Sequence, residues 1–274
     1  MKELLKTEWL KLKDYNVFKI IVILFAVGVI GANYVVYIFN KKVIQAANTG
    51  GLVPSFGPYN FDHTWQTTSY VTGFILLIPA FLLIILATNE YTYKTHRQNI
   101  IDGQSRREFI WVKMMVALIF TLASTIWVFL TALTFGLFSG TSFSFNGFAH
   151  IGFFFLKALS YNLFAIMLSV WIRRTGFAIG LFFIYLGAEN ILSQLLDVWS
   201  VQLRNDEGVN LGALGNYLPM NASDGLLTFP DNPMKTITAS AMPTDYPWIV
   251  AAFAVLYLYV FFRISMNKVL NTDL

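Results

Sequence analysis

Six long apolar runs, almost without charge, set the terms for this chain. They lie at Ile20–Phe39, Tyr70–Thr88, Met114–Phe138, Phe148–Ile172, Thr175–Leu196 and Trp248–Ile264. A helix crossing the roughly 30 Å hydrocarbon core of a bilayer needs about 20 mostly apolar residues, and these runs approach or meet that length. Inside lipid, backbone N–H and C=O groups must be satisfied within the chain, which leaves the helix as the form such runs can take. The expected fold is an all-α polytopic membrane protein with six transmembrane helices and one transmembrane domain over residues 1–274. With 56% hydrophobic and 12% charged residues, the chain carries half the charge of a soluble domain, where about a quarter is usual. The first run ends at Phe39-Asn40-Lys41-Lys42 without a small-residue cleavage site, so it is expected as a permanent helix, not a signal peptide.

Orientation follows from the basic residues. With the N-terminus inside, the inner segments hold fourteen Lys and Arg and the outer ones only Lys41, Lys42, Arg204 and Lys235, while acidic residues divide evenly. The bias is the positive-inside pattern and puts both termini in the cytoplasm. It also accounts for the formal charge of +4, so no nucleic-acid partner is expected. The absence of cysteine excludes disulfides, thiolate metal sites and cysteine nucleophiles. His63, His96 and His150 lack partners at metal-ligand spacing, and no metal site is expected. There is no GxxxxGK[ST] phosphate loop and no G-x-S-x-G elbow, so the chain is not expected to be an enzyme or to hydrolyse ATP itself.

Between the runs, residues 2–16 read as a short amphipathic N-terminal helix with Leu5, Trp9 and Leu12 on one face and Lys6, Lys11 and Lys13 turned away, suited to the inner interface. Asn40–Ser69, with Gly50-Gly51, Pro54 and Pro58, reads as an outer loop. The outer segment 197–247 is too long to lack structure, and short helices are expected near Val198–Leu203 and Leu211–Tyr217, broken by prolines. The connection Asn89–Lys113 is polar, net basic, and marked by Ile100 and Ile101. It predicts a turn at Lys94-Thr95, a short helix over His96–Ile101, a break at Gly103, and Ser105 as N-cap with Glu108 completing an S-x-x-E capping box. A two-turn helix held crosswise and exposing two isoleucines beside basic residues is a docking knob for a partner's groove.

At these residues the chain resembles the ABC-2 type permeases of ATP-binding cassette transporters. The resemblance rests on Glu90, Lys94-Thr95-His96-Arg97, Gly103, Ser105-Arg106 and Lys113, on the opening Glu8-Trp9-Leu10-Lys11-Leu12-Lys13, and on Tyr217-Leu218-Pro219 before the last span. Where that family often has a proline before the Ser-Arg pair, this chain has Gly103-Gln104. The resemblance implies a single permease domain with a cytoplasmic coupling helix between the second and third spans. Glu90, Thr95, His96, Arg97, Asn99, Ile100, Ile101, Gly103, Ser105 and Arg106 would then meet a soluble ABC ATPase subunit, with Glu90, Arg97 and Arg106 anchoring the turn. It further implies export of an unidentified substrate across a bacterial cytoplasmic membrane, two ATPase copies that hold ATP and magnesium, and a second permease copy, with a homodimer as the default. No cofactor is expected on this chain itself.

Two charges interrupt the apolar runs, Lys157 in the fourth and Glu189 in the fifth. A lysine at a helix centre costs about 3 kcal/mol on insertion scales. The thirteen Leu, Ile, Phe and Val of Phe148–Ile172 return about 5 kcal/mol at roughly 0.4 each, so the helix inserts. Lys157 and Glu189 are expected either to pair, to line a polar cavity, or to lie in outer re-entrant turns near water. Thr121, Ser124, Thr131 and Thr134 share a face of the third span, Gly136-x-x-x-Gly140 and Gly176-x-x-x-Gly180 match a close-packing pattern, and Pro79 predicts a kink in the second span. A stand-alone secondary transporter or channel, a permease-like subunit that transmits force or signal, and a membrane enzyme are the alternatives. The first should show repeats or broken helices with several buried polar groups, and the last a cluster of catalytic residues at one depth.

Overall fold

A computed structural model of the chain describes residues 2–48, 57–230, 244 and 246–271. Helix α1 (Lys2–Lys13) precedes α2 (Asn16–Asn48). The second crossing is α3 (Phe61–Gly73), a 3-10 turn at Phe74–Leu76, and α4 (Leu77–Thr92). Then come a short α5 (Thr95–Ile101) and the long α6 (Arg106–Phe138), α7 (Ala149–Ile172) and α8 (Thr175–Asp206). A 3-10 turn at Leu214–Tyr217 and the one-turn α9 (Asn221–Asp224) lead to α10 (Pro247–Asn271). Among the described residues six helical stretches are long and apolar enough to cross a membrane.

The helices outrun the apolar runs. The second crossing starts at Phe61 and the third helix at Arg106, the fifth reaches Asp206, and the sixth reaches Asn271. Hydropathy marks the hydrocarbon zone, whereas a helix continues until a cap or breaker stops it. The expected short helix at Val198–Leu203 is therefore the end of α8, and Leu211–Tyr217 shrinks to the 3-10 turn. Asn40–Ser69 is likewise no plain loop, since α2 runs on to Asn48 and α3 begins at Phe61. Its Gly50-Gly51 and Pro54, like Pro233 and Pro243 further on, lie outside the described residues.

Helix α7 is the axis of the bundle, packing against α3, α4, α6, α8 and α10. Two-thirds of its apolar stretch (67%) is buried, against 11% for the first crossing. A helix apolar on all sides belongs at such a centre, whereas α2 and α8 leave most of their surface outward. The break in the second crossing has a local cause. Pro79 cannot donate to the carbonyl four residues back, that of Ile75, and its ring crowds it; Ile75 sits in the 3-10 turn Phe74–Leu76. Between helices, Asn162 Nδ2 donates to Thr121 Oγ1 at 2.9 Å. At Gly136 an added Cβ would meet the Phe61 ring at 2.7 Å, whereas Gly176 and Gly180 face open space. Of the hydroxyl face on α6, Thr121, Ser124 and Thr131 are buried and Thr134 is exposed.

The segment after α8 folds back into the bundle. Ser200 Oγ donates to the Gly212 carbonyl, and Asp197 Oδ1 accepts from the Gly215 N–H at 2.9 Å. Ala222 and Leu226 then pack with Val250 and Ala254 of α10. Non-helical backbone at membrane depth requires such burial within protein.

Candidate functional site

Two polar clusters stand apart among the described residues, one on α1, α4 and α6 and one midway along α7 and α8. The first surrounds α5. Lys94 takes the left-handed conformation (φ 57°) and turns the chain out of α4. Nine residues later Gly103, at φ 99°, reverses it where a side chain would be strained. Ser105 then caps α6, its hydroxyl accepting from the Glu108 N–H while the Glu108 carboxylate accepts from the Ser105 N–H at 2.9 Å. The underside of α5 is fixed, with His96 Nδ1 2.9 Å from the Glu90 carbonyl and the His96 ring 4.8 Å from that of Tyr91. The Arg173 guanidinium also lies over the Tyr91 ring, 5.3 Å from its centre. Ile101 points away at 78% exposure, whereas Ile100, expected to be exposed beside it, is half-buried. Thr95 donates to the Glu90 carbonyl, and the Asn99 carbonyl accepts from the Gln104 N–H. Arg97 is exposed, and Arg106 donates to the Leu270 carbonyl of α10 at 3.3 Å.

Behind α5 four charges interlock. Lys113 Nζ lies 2.7 Å from Glu90 Oε1 and 2.7 Å from Glu8 Oε2. Lys11 Nζ lies 3.0 Å from the same Glu90 oxygen and 2.9 Å from Glu8 Oε1. Lys113 and Glu90 are buried, and balanced charges are what make burial there tolerable. Burial pushes the Glu8 carboxyl up, but Lys113 and Lys11 outweigh it and hold Glu8 below its ordinary value. Burial likewise lowers Lys11, but Glu90 and Glu8 more than reverse this and hold it above its ordinary value. The cluster corrects the reading of α1. Its inward face is Leu5, Glu8 and Leu12, while Trp9 is exposed and meets Phe18 edge-on. Glu8 and Lys11 stand one turn apart and were legible as an i,i+3 pair, but nothing local pointed them at residues 90 and 113.

The second cluster lies at mid-helix. Lys157 is fifteen residues before the end of α7 and Glu189 fourteen after the start of α8, about 22 and 21 Å along their helices from the shared turn. The two do line one cavity of about 170 Å³. The partner of Lys157, however, is Asp224, at 3.2 Å, which also accepts from the Tyr161 hydroxyl at 3.0 Å. Glu189 turns one oxygen to the start of α9, accepting from the N–H groups of Met220 at 2.6 Å and Asn221 at 2.8 Å. Its other oxygen is buried without a hydrogen bond among the described residues. Asp224 and Asn221 gave no sequence signal, since the outer segment bears no periodicity that would fold it back.

This arrangement is that of a polytopic helical membrane protein of the transport type. The family model of ABC-2 family transporter proteins matches residues 4–188, more than half of the chain, and the chain belongs to that family. It is thus a multi-pass membrane component of an ATP-binding cassette system, and membership implies an ATPase partner. Neither the curated proteins nor the solved structures return a match. The matched stretch takes in α1 to the middle of α8 and stops one residue before Glu189.

Proposed function

We propose that this chain is the permease half of an exporter in a bacterial cytoplasmic membrane. Both termini are cytoplasmic, a second copy completes a homodimer, and two copies of a separate ATPase subunit hold ATP and magnesium and dock on Thr95–Ile101. The observation that carries the reading is α5 itself. It is a short helix with an exposed apolar tip at Ile101, held by Thr95 and His96 to the carbonyl of Glu90, whose carboxylate belongs to the four-charge cluster that ties α1, α4 and α6 together. A knob so backed passes force to the helices instead of absorbing it. The fourteen basic residues assigned to its side of the chain support a cytoplasmic placement. From α5 the continuous helix α4 runs sixteen residues, about 24 Å, to the 3-10 turn, so motion imposed at α5 is delivered at the bend.

The test is co-purification of the full chain with a subunit bearing a phosphate-binding loop, followed by Ile101→Asp. Loss of an exposed apolar anchor of about 2 kcal/mol weakens the partner roughly thirtyfold, so stimulated ATPase activity at limiting partner should collapse. Thermal unfolding of the isolated chain should not move, because Ile101 touches little of its own protein. Full stimulation with Ile101→Asp, or labelling of residue 101 from outside intact cells, would overturn the proposal.

A further inference from the structure

The cavity around Lys157 holds more acid than base. One lysine faces two carboxylates, Asp224 and Glu189, and its charge is matched by Asp224 at 3.2 Å. Glu189 is 5% exposed and lines this cavity. Oε1 is engaged by the backbone N–H groups of Met220 and Asn221 at the start of α9, while Oε2 accepts no hydrogen bond within ordinary geometry among the described residues. The other groups bearing on this carboxylate are the Tyr185 hydroxyl on its own helix, an uncharged donor turned toward it, Tyr161 on α7, Tyr257 on α10 and Asp224 on α9, none of them cationic. A buried carboxylate without a compensating charge is costly, and a cation supplied from outside relieves that cost. The walls already accommodate an ammonium, since Lys157 Nζ lies 5.8 Å from the Phe74 ring centre and 5.5 Å from that of Tyr161, within cation–π range. The volume of about 170 Å³ is well below the roughly 300 Å³ at which drug-sized sites begin. It takes one cationic group of a larger molecule, not a whole one.

We propose that this cavity is a binding subsite for a primary ammonium group, held by Glu189 Oε2 and faced by Asp224, Asn190 and the Phe74 ring. Describing the ligand as cargo rests on the permease reading above, but the binding does not require it. The ammonium can belong to a soluble amine or peptide, or to the head group of an ethanolamine lipid. A structural role for Glu189, holding the first N–H groups of α9, accounts for Oε1 and leaves Oε2 unexplained.

The experiment uses the full chain in phosphatidylcholine nanodiscs and reads thermal stabilisation by n-butylammonium, with n-butanol as the uncharged control. Butylammonium should stabilise and butanol should not. Glu189→Gln keeps an oxygen for the α9 N–H groups, so it should unfold at the wild-type temperature while losing at least tenfold in butylammonium affinity. Lys157→Gln removes the resident ammonium and should bind the probe more tightly, an outcome that a purely structural site would not give and that decides the matter if Glu189→Gln fails to fold. Repeating the titration in phosphatidylethanolamine nanodiscs separates the sources. Weaker apparent butylammonium binding there, with Glu189-dependent stabilisation by the lipid, assigns the site to the head group, and unchanged binding assigns it to a soluble amine. Equal stabilisation by butanol, retained affinity in Glu189→Gln, no gain in Lys157→Gln, or no stabilisation by an ammonium in either lipid would overturn the proposal. None of these readouts involves ATP, so failure here and failure at Ile101 are separate.

Discussion

Replacing Lys113 with Met isolates what the four-charge cluster contributes. The thioether fills nearly the same space, so packing changes little and the loss is electrostatic. Lys113 gives up two contacts of 2.7 Å, to Glu8 and to Glu90. Lys11 is left as the shared partner of two carboxylates, and Glu90 is buried, with its Oε2 already making no hydrogen bond among the described residues. Breaking a buried pair by removing one partner costs about 3–5 kcal/mol. Because Lys11 remains, the lower end, about 3 kcal/mol, is the expected value. At roughly 2–4 °C per kcal/mol for chains of this order of size, the unfolding temperature should fall by about 6–12 °C. Adding Glu90→Gln to Lys113→Met removes the surplus charge and should recover more than half of that fall, giving a coupling well outside additivity. The assay is thermal unfolding of the four proteins of this cycle in one detergent, together with ATPase stimulation by the partner subunit. A fall below about 2 °C for Lys113→Met, or strict additivity in the double variant, would refute the view that these charges act as a unit behind α5.

The remaining expectations concern the same elements. Glu8 binds its proton less tightly in the folded protein than in the unfolded chain, so its stabilising contribution is full above the ordinary carboxylate value near 4.5 and is lost as pH falls through the depressed folded value. Lys11, held above 10.5, contributes fully below that value and loses its share as pH rises through the raised one, so a melting-temperature profile should be flat between. A fall beginning near neutrality would contradict this. Ser105→Ala removes the hydroxyl arm of the capping box and should lower stability by about 1 kcal/mol, readable in the same melt. Gly136→Val meets the Phe61 ring at 2.7 Å and should cost about 1–3 kcal/mol as an overpacked contact, whereas Gly176→Val, with open space around it, should leave the isolated chain unchanged.

What the sequence made legible follows the range of each signal. The crossings were readable because a 20-residue apolar run is decisive where it stands, and the S-x-x-E box at Ser105 because both arms lie within four residues. The turn residues Lys94 and Gly103 sit where local composition placed them. The helix ends were not readable, since α8 continues ten residues past Leu196 with nothing in hydropathy to announce it. Tertiary partners were harder still. Lys157 was visible as an anomaly in an apolar run, but its counter-ion is 67 residues away in a segment without helical period, so Glu189 was the only partner the runs offered. The α1 face was misread for a related reason. Leu5 and Leu12 do lie on the inward face and Trp9 stays exposed, but that face also carries Glu8 to Lys113, and nothing within α1 announces a partner 105 residues away.

The two clusters are joined by the elements they share. Glu90 closes the first at the end of α4, while Gly73, Phe74 and Leu77, at and around the 3-10 turn that begins α4, line the second. The Cβ a residue would carry at Gly73 lies 3.1 Å from Lys157 Nζ, so the bend approaches the lysine as closely as it does because position 73 has no side chain. Helix α7 carries Lys157 itself and is gripped at its other end through Arg173 over Tyr91, which binds it to the base of α5. A displacement of α5 under the proposed mechanism therefore reaches both walls of the cavity by rigid helices, α4 to the Gly73–Leu77 side and α7 to the Lys157 side. The third wall, Glu189 on α8 with α9, packs on α10 and is also held to α7, through Asp224 to Lys157 and Tyr161. The cavity lies where the turn before α4 meets α7, α8 and α9, and under the proposed mechanism its affinity follows the nucleotide state of a distant partner to the extent that the displacement of α4 and α7 differs from that of α8.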